Sequence, residues 1–321
     1  AVQVPYALAA SSGTAALHLA LVALGVGPGD EVLVPDLTYV AAANVVRYAG
    51  AKPVLIDVDA DTWTIDPQQV ATRIGRRTKA ILAVHVYGNP ADLGQLRRIA
   101  RAAKVALVED AAEAFGATWQ GRPVGGIGDV GCFSLFANKV VTTGEGGLIT
   151  TRSARLAREM RALRDQAKSA KRPYYHAHLG FSYRLSALQA AFGLAQLERL
   201  DEFVAQRARI RAWYGEELSA LTEWREPQAV PGAVPVNWLY TGAIVGWSVR
   251  RRDRCLRVLR GEGIDARPVF VPMSDLPEFR GAGGAVARRL AASGISLPTY
   301  TRLRRRDVAA IAAALVRAVH A

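Results

Sequence analysis

The chain has 321 residues, half of them hydrophobic and 21% charged, the composition of a globular protein long enough for one large domain and a smaller one. Its net charge of +13 raises nucleic acid as a partner, but lysine is scarce and the arginines are spread over many helical patterns, so no nucleic-acid partner is expected. No apolar run is long enough to cross a bilayer and no signal-peptide pattern opens the chain, so no membrane association is expected and the cytoplasm is the default location.

Near the N-terminus, Ser11-Ser12-Gly13-Thr14 opens a helical pattern carried by Leu17, Leu21 and Leu24 and closed by the glycines at 25, 27 and 29. Such a helix start offers free backbone N–H groups, hydroxyls and the positive end of the helix dipole, which suit a phosphate; a plain N-cap is the alternative. Short β-type runs at 31–35, 53–58, 80–86 and 105–109 then alternate with helical segments at 39–48, from Pro67 and at 93–103. This alternation predicts a mainly parallel sheet covered on both faces, with ligands gathering at the carboxyl ends of its strands.

Three strand ends carry chemistry. After the first comes Tyr39, suited either to stacking on a flat ligand or to packing on the core. After another comes His85, a candidate base, although a histidine beside a strand more often serves structure. The strand at 105–109 runs into Glu109-Asp110-Ala111-Ala112-Glu113 and takes a carboxylate to the site edge. A carboxylate buried there needs a cationic or hydrogen-bonding partner, and a protonated heterocyclic nitrogen would serve.

Residues 132–151 hold a single lysine, Lys139, between an apolar run and a glycine-rich turn that leads into a second β-type run at 148–151. Glycine at 144, 146 and 147 lets the backbone turn and lets a flat ligand come close. A helix is expected at 153–164, then a basic, aperiodic loop at 165–178 with Tyr174-Tyr175, read as mobile or partner-contacting. An amphipathic pattern at 186–218 places Leu188, Phe192, Leu197 and Leu200 on its apolar side and joins the two domains. Beyond it, runs at 238–245, 264–271 and 295–298 mix with helices near 254–260, 286–292 and from Arg306, as in an α+β module. The two cysteines, Cys132 and Cys255, form no CxxC pair; packing is expected of both, and neither a disulfide nor a metal site.

A phosphate-suited helix start, an aromatic and an acid on strand ends, and a lysine on a glycine-bounded turn are the parts of a pyridoxal phosphate site. The stretches SSGTAALHLALVALGVGPGDEVLVPDLTY, GAKPVLIDVD, RTKAILAVHVYGNPADL, VEDAAEAFGATWQGRPVGGIGDVGCFSL, NKVVTTGEGGLITT, YRLSALQAAFGLAQLERLD and GIDARPVF carry a resemblance, in order and over nearly the whole chain. The sequence resembles the DegT/DnrJ/EryC1/StrS family of sugar aminotransferases, within the fold-type I pyridoxal phosphate enzymes. The resemblance implies an α/β, aspartate-aminotransferase-like fold: a three-layer large domain with a mostly parallel sheet, expected at 1–200, and a smaller C-terminal α+β domain, expected at 201–321.

By the same resemblance Lys139 matches the lysine that binds pyridoxal 5'-phosphate, and Asp110 the acid on the pyridine nitrogen. Ser12, Gly13, Thr14 and Ser134 match phosphate-binding positions, Tyr39 the stacking aromatic, and Glu113 a position near the ring hydroxyl. Lysine at 139 argues against the related sugar dehydratases, which carry histidine there. EDAAEA, NKVVTTGEGG and GIDARPVFVPM are most similar to perosamine-type members, implying transfer of an amino group from L-glutamate to a nucleotide-linked keto-sugar such as GDP-4-keto-6-deoxymannose. Amination at the 3-keto position, dTDP- or UDP-sugars and a ketocyclitol stay open, as does a cofactor-binding homologue with a regulatory role. A homodimer with shared active sites is implied, in which Ser182 replaces the family's asparagine near the phosphate of the neighbouring subunit's cofactor. The family's segment ahead of SGT is mostly absent, implying an altered interface or a trimmed chain.

Overall fold

The computed structural model describes residues 1–321 except Ala170, Ala282 and Ala321. Its largest sheet has seven strands: β1 (Tyr6–Ala10), β2 (Glu31–Pro35), β3 (Lys52–Ile56), β4 (Thr78–Val84), β5 (Ala106–Asp110), and then, beyond the two-residue strands β6 (Thr118–Trp119) and β7 (Arg122–Pro123), β8 (Val130–Ser134) and β9 (Gly147–Thr151). Their order is β1-β9-β8-β5-β4-β2-β3, with β3, β2, β4, β5 and β8 mutually parallel and β9 antiparallel to both β8 and β1. The central strands bury almost every residue, as expected where helices cover both faces. From β2 the chain steps outward to β3 and then back across to β4, so the connections leaving β2 and β4 diverge and leave a crevice at their carboxyl ends.

The helices of this part are α1 (Gly13–Ala23), α2 (Ala41–Tyr48), α3 (Pro67–Arg73), α4 (Leu93–Ala103) and α5 (Ala154–Arg164). The predicted pattern at 186–218 is two helices, α6 (Ala187–Leu197) and α7 (Leu200–Glu217), and its apolar side does not all face inward. Leu200 is buried, but Leu188 is 83% and Phe192 54% exposed. The break at Glu198-Arg199 lets α7 turn into the core while α6 stays on the surface.

The C-terminal part adds β10 (Trp224–Arg225), β11 (Ala233–Val234), β12 (Tyr240–Ile244), α8 (Val249–Gly261), β13 (Arg267–Pro268), α9 (Ala285–Ser293), β14 (Gly294–Leu297) and α10 (Arg305–His320). Four of these strands form an antiparallel sheet, β10-β12-β14-β13, while β11 joins β6 and β7. The expected strand at 264–271 shrinks to Arg267–Pro268, paired with Ser296 and Ile295 of β14, and the contact with β14 ends where the Val269 amide donates to the Gly294 carbonyl at 3.1 Å.

Among the described residues the buried apolar side chains form two clusters. One surrounds the large sheet and takes in Leu200, Phe203, Val236, Trp238, Val269, Met273 and Leu290; the other is built on Ile210, Tyr214, Tyr240, Leu259, Ile295 and Leu315. α7 contributes to both. Two carboxylates at strand ends clasp the C-terminal part to the large sheet. Asp36, after β2, accepts from the Ser274 amide, the Ser274 hydroxyl and the Gly284 amide, each at 2.8 Å. Asp57, after β3, accepts from the Val286 and Ala287 amides at 2.9 Å and so caps α9, whose own preceding residue, Gly284, has no side chain to do it. Among the described residues no helix is long and apolar enough to cross a membrane.

Candidate active site

Lys139 lies on the connection from β8 to β9, which is closed on itself by backbone bonds from Leu135 to Gly146 at 2.8 Å and from Thr143 to Leu135 at 2.9 Å. Gly144 has φ +77°, and a Cβ on Gly146 would come within 2.3 Å of the Thr143 hydroxyl, so the turn needs glycine at both places. It delivers the Lys139 Nζ to 3.5 Å from Glu113 Oε1 and 3.7 Å from the centroid of the Trp238 ring.

Two adjacent acids end β5 and point to opposite faces. Glu109 is fully buried and accepts from the amides of Gly125 and Ile127 at 2.7 Å and of Gly128 at 2.6 Å, and from His85 Nε2 at 3.2 Å. Burial alone raises its pKa, but His85 and the Gly128 and Gly125 amides more than reverse that, and it ends below the ordinary value. Asp110 is also buried, yet the Ala112 amide at 3.1 Å is its one side-chain hydrogen bond among the described residues. Desolvation holds its pKa above the ordinary value, against the Ala112 amide and the charge of Lys139. Glu113 follows the same pattern: desolvation raises it, opposed by Lys139 and by the Tyr87 amide, which donates to its Oε2 at 2.7 Å.

The other sequence candidates divide. His85 serves structure rather than acting as a base: Nδ1 accepts the Ala91 amide at 3.0 Å, which leaves the proton on Nε2 for Glu109. Ser12 caps α1 through its hydroxyl, which accepts the Ala15 amide at 3.0 Å. That start is pressed between strand ends: a Cβ on Gly13 would lie 2.9 Å from the Ser134 Cβ, and one on Gly147 would lie 2.3 Å from the Ser12 carbonyl. Ser12, Gly13, Thr14 and Ser134 therefore meet at one edge of the crevice, where the first-turn amides of α1 have no partner within the helix. Tyr39 is 59% exposed and tilts against Phe270 at 6.0 Å between ring centroids. Ser182 sits on the surface in an isolated bridge with Asp165, while its neighbour Tyr183 accepts the Ser11 amide at 2.8 Å.

Sequence reasoning missed the aromatic wall. Tyr87 stacks on Phe270 with centroids 5.0 Å apart and on Trp238 at 6.4 Å, and its hydroxyl accepts the Phe270 amide at 2.9 Å. Tyr87 holds a left-handed φ of 55°, uncommon for an aromatic residue and retained here by these contacts and the Glu113 bond. No spacing rule flags residues so far apart in sequence.

The donor set fits pyridoxal phosphate. Asp110 is a buried carboxylate with a single amide donor and room in its chemistry for an N–H cation, Lys139 is an amine held at a fixed point, and hydroxyls and amides cluster at the α1 start. A mostly parallel sheet with a lysine on the β8–β9 connection and an acid at the end of β5 defines an α/β aminotransferase of the aspartate-aminotransferase-like class. The chain belongs to the DegT/DnrJ/EryC1/StrS aminotransferase family, whose sequence profile matches residues 1–316. It is 44% identical to the GDP-perosamine synthase of Caulobacter vibrioides, over 97% of this chain and 85% of that protein. It is 36% identical to the GDP-perosamine synthase of Escherichia coli O157:H7, over 95% of this chain and 83% of the other. A Streptococcus pneumoniae protein described as a sugar aminotransferase, solved in its PLP form, superposes with a TM-score of 0.95 at 26% identity, covering 99% of this chain and 88% of that one.

Proposed function

We propose that the chain transfers an amino group from L-glutamate to GDP-4-keto-6-deoxymannose, in the manner of a GDP-perosamine synthase, with pyridoxal phosphate as cofactor. The observation that carries this reading is the Lys139 amine set beside Glu113 on the same crevice edge as the partly satisfied Asp110. When bound, pyridoxal phosphate supplies a ring that takes up the electron pair left as a proton leaves the donor's α-carbon. Asp110 accepts a hydrogen bond from the ring nitrogen and keeps it cationic. Ser12, Gly13, Thr14 and Ser134 hold the phosphate, and Tyr39 covers the ring. Lys139 holds the cofactor between turnovers, and its freed amine takes the proton from the donor's α-carbon in the first half-reaction and delivers one to the keto carbon of the sugar in the second; general acid–base transfer of this kind is worth ~10²–10⁴-fold. Glu113 orients that amine.

The same proposal assigns residues 1–200 to a cofactor-binding domain and 201–321 to a smaller domain, and sets the enzyme in the cytoplasm as a homodimer. The dimer reading is supported by apolar side chains left on the surface, among them Leu179, Leu188, Phe192 and Leu194, and it places Ser182 toward the cofactor of the neighbouring subunit. The deciding experiment follows the visible absorbance of the loaded protein as L-glutamate and then the GDP-keto-sugar are added. Bleaching by glutamate and recovery with the sugar are expected. Bleaching without recovery would reject this acceptor and keep the aminotransferase; no response to glutamate would reject the reaction.

A further inference from the structure

Arg207 is a buried cation without a carboxylate partner among the described residues. It lies on α7 where that helix passes from one buried cluster to the other, between Phe203 and Ile210. Its Nη1 donates to the carbonyl of Trp238 at 2.7 Å and to that of Thr299 at 3.2 Å, and its Nε has no partner at all among the described residues. Desolvation pulls the guanidinium down to about 10, so the placement opposes the charge it carries. A buried charge that, among the described residues, serves two backbone carbonyls is a costly way to fill a core, and the shorter of its bonds ends on Trp238. The Thr299 hydroxyl donates to the same Trp238 carbonyl at 2.7 Å.

The indole that this carbonyl carries is 4% exposed and is fixed at its other end, where Nε1 donates to the Asn138 carbonyl at 2.7 Å, one residue before Lys139. Its π face meets the Lys139 Nζ at 3.7 Å, within cation–π range. The amine therefore has two restraints, a carboxylate oxygen and an aromatic face, contributed by β5's following turn and by the C-terminal part.

We propose that Trp238 is a positioning residue for the reactive amine, and that Arg207 acts through the Trp238 carbonyl to hold the indole against Lys139. The inference rests on the assignment of Lys139 as the reacting lysine. It makes the C-terminal part a participant in placing the amine rather than a cover over the site, and it makes the aromatic identity of residue 238 the property that matters.

Two readouts on the full chain test it. The first is steady-state turnover. Trp238→Leu is expected to lower kcat about tenfold, with KM for L-glutamate and the keto-sugar within about twofold, while Trp238→Phe keeps at least about half of kcat. The second does not depend on activity: in protein freed of cofactor, the rate at which trinitrobenzenesulfonate labels Lys139, followed by peptide mass spectrometry at one pH, is expected to rise about threefold or more in Trp238→Leu. Arg207→Met is expected to shift both readouts in the same direction by less, Arg207→Lys to restore them, and the double variant to be no worse than Trp238→Leu alone.

Wild-type labelling in Trp238→Leu, or equal kcat for the leucine and phenylalanine variants, would overturn the role of Trp238. Additive losses in the double variant would overturn the role of Arg207. Should Arg207→Met fail to fold, the Arg207→Lys variant and the Trp238 pair decide. Lys139→Ala separates the two levels: turnover in that variant would sink the assignment of the lysine, whereas a dead Lys139→Ala beside an unaffected Trp238→Leu would sink only the positioning.

Discussion

Glu109 and Asp110 are neighbours on one strand, both buried, and opposite in every physical respect that matters. On one face of the sheet Glu109 is saturated by three amides and a histidine, and its pKa falls. On the other face Asp110 keeps one amide, and its pKa rises. A saturated carboxylate is a structural pin, like Asp36 and Asp57 at the ends of β2 and β3. An undersatisfied one beside a lysine is a place kept for a partner. The contrast separates the carboxylates that hold the scaffold from the one proposed to meet the cofactor.

The largest expected effect falls on the chemical side. Lys139→Ala should cost at least about 10³-fold in turnover with little change in thermal midpoint, and retained catalysis would break the comparison at its centre. Next is the structural side: Glu109→Gln leaves one amide or His85 badly paired and should cost about 3 kcal/mol of stability, measured by urea denaturation. A variant as stable as the parent would show that Glu109 is no pin.

Asp110→Asn should reverse that balance. Turnover should fall on the order of 100-fold, while stability at neutral pH holds or improves, because a penalised charge has been removed. The pH dependence carries the sign of each shift. Glu109, with a lowered folded pKa, contributes fully above its ordinary 4.5, and that contribution is lost as pH falls below it. Asp110, with a raised folded pKa, imposes its full penalty above that raised value, and the penalty fades as pH falls toward 3.8. The stability deficit of Glu109→Gln should therefore close in acid, and any gain in Asp110→Asn should vanish there; parallel curves for the two variants would erase the distinction. The smallest effect is on a pin at the rim: Asp57→Ala removes the cap on α9 and should cost about 1 kcal/mol, read from the denaturation midpoint, with turnover changed less than in Asp110→Asn.

Local pattern determined much of this protein. The alternation of apolar runs and helical segments was enough for the parallel sheet, because strands covered on both faces must be apolar throughout, and the helix at Leu93–Ala103 was legible to the residue. Resemblance over ordered motifs singled out Lys139, Asp110 and Glu113, which the fold gathers at one edge. Tertiary structure alone decided what each buried polar group meets. No pattern says that His85 is spent on Glu109 and the Ala91 amide, or that three amides from 125–128 converge on Glu109 and leave Asp110 short. Nor does it say that residues 39, 87, 238 and 270 form one aromatic wall, or that α6 turns Leu188 outward. Periodicity reports which face of an element is apolar. Which partner that face or a buried charge finds depends on how distant segments of the chain are brought together, and that information exists only in the folded molecule.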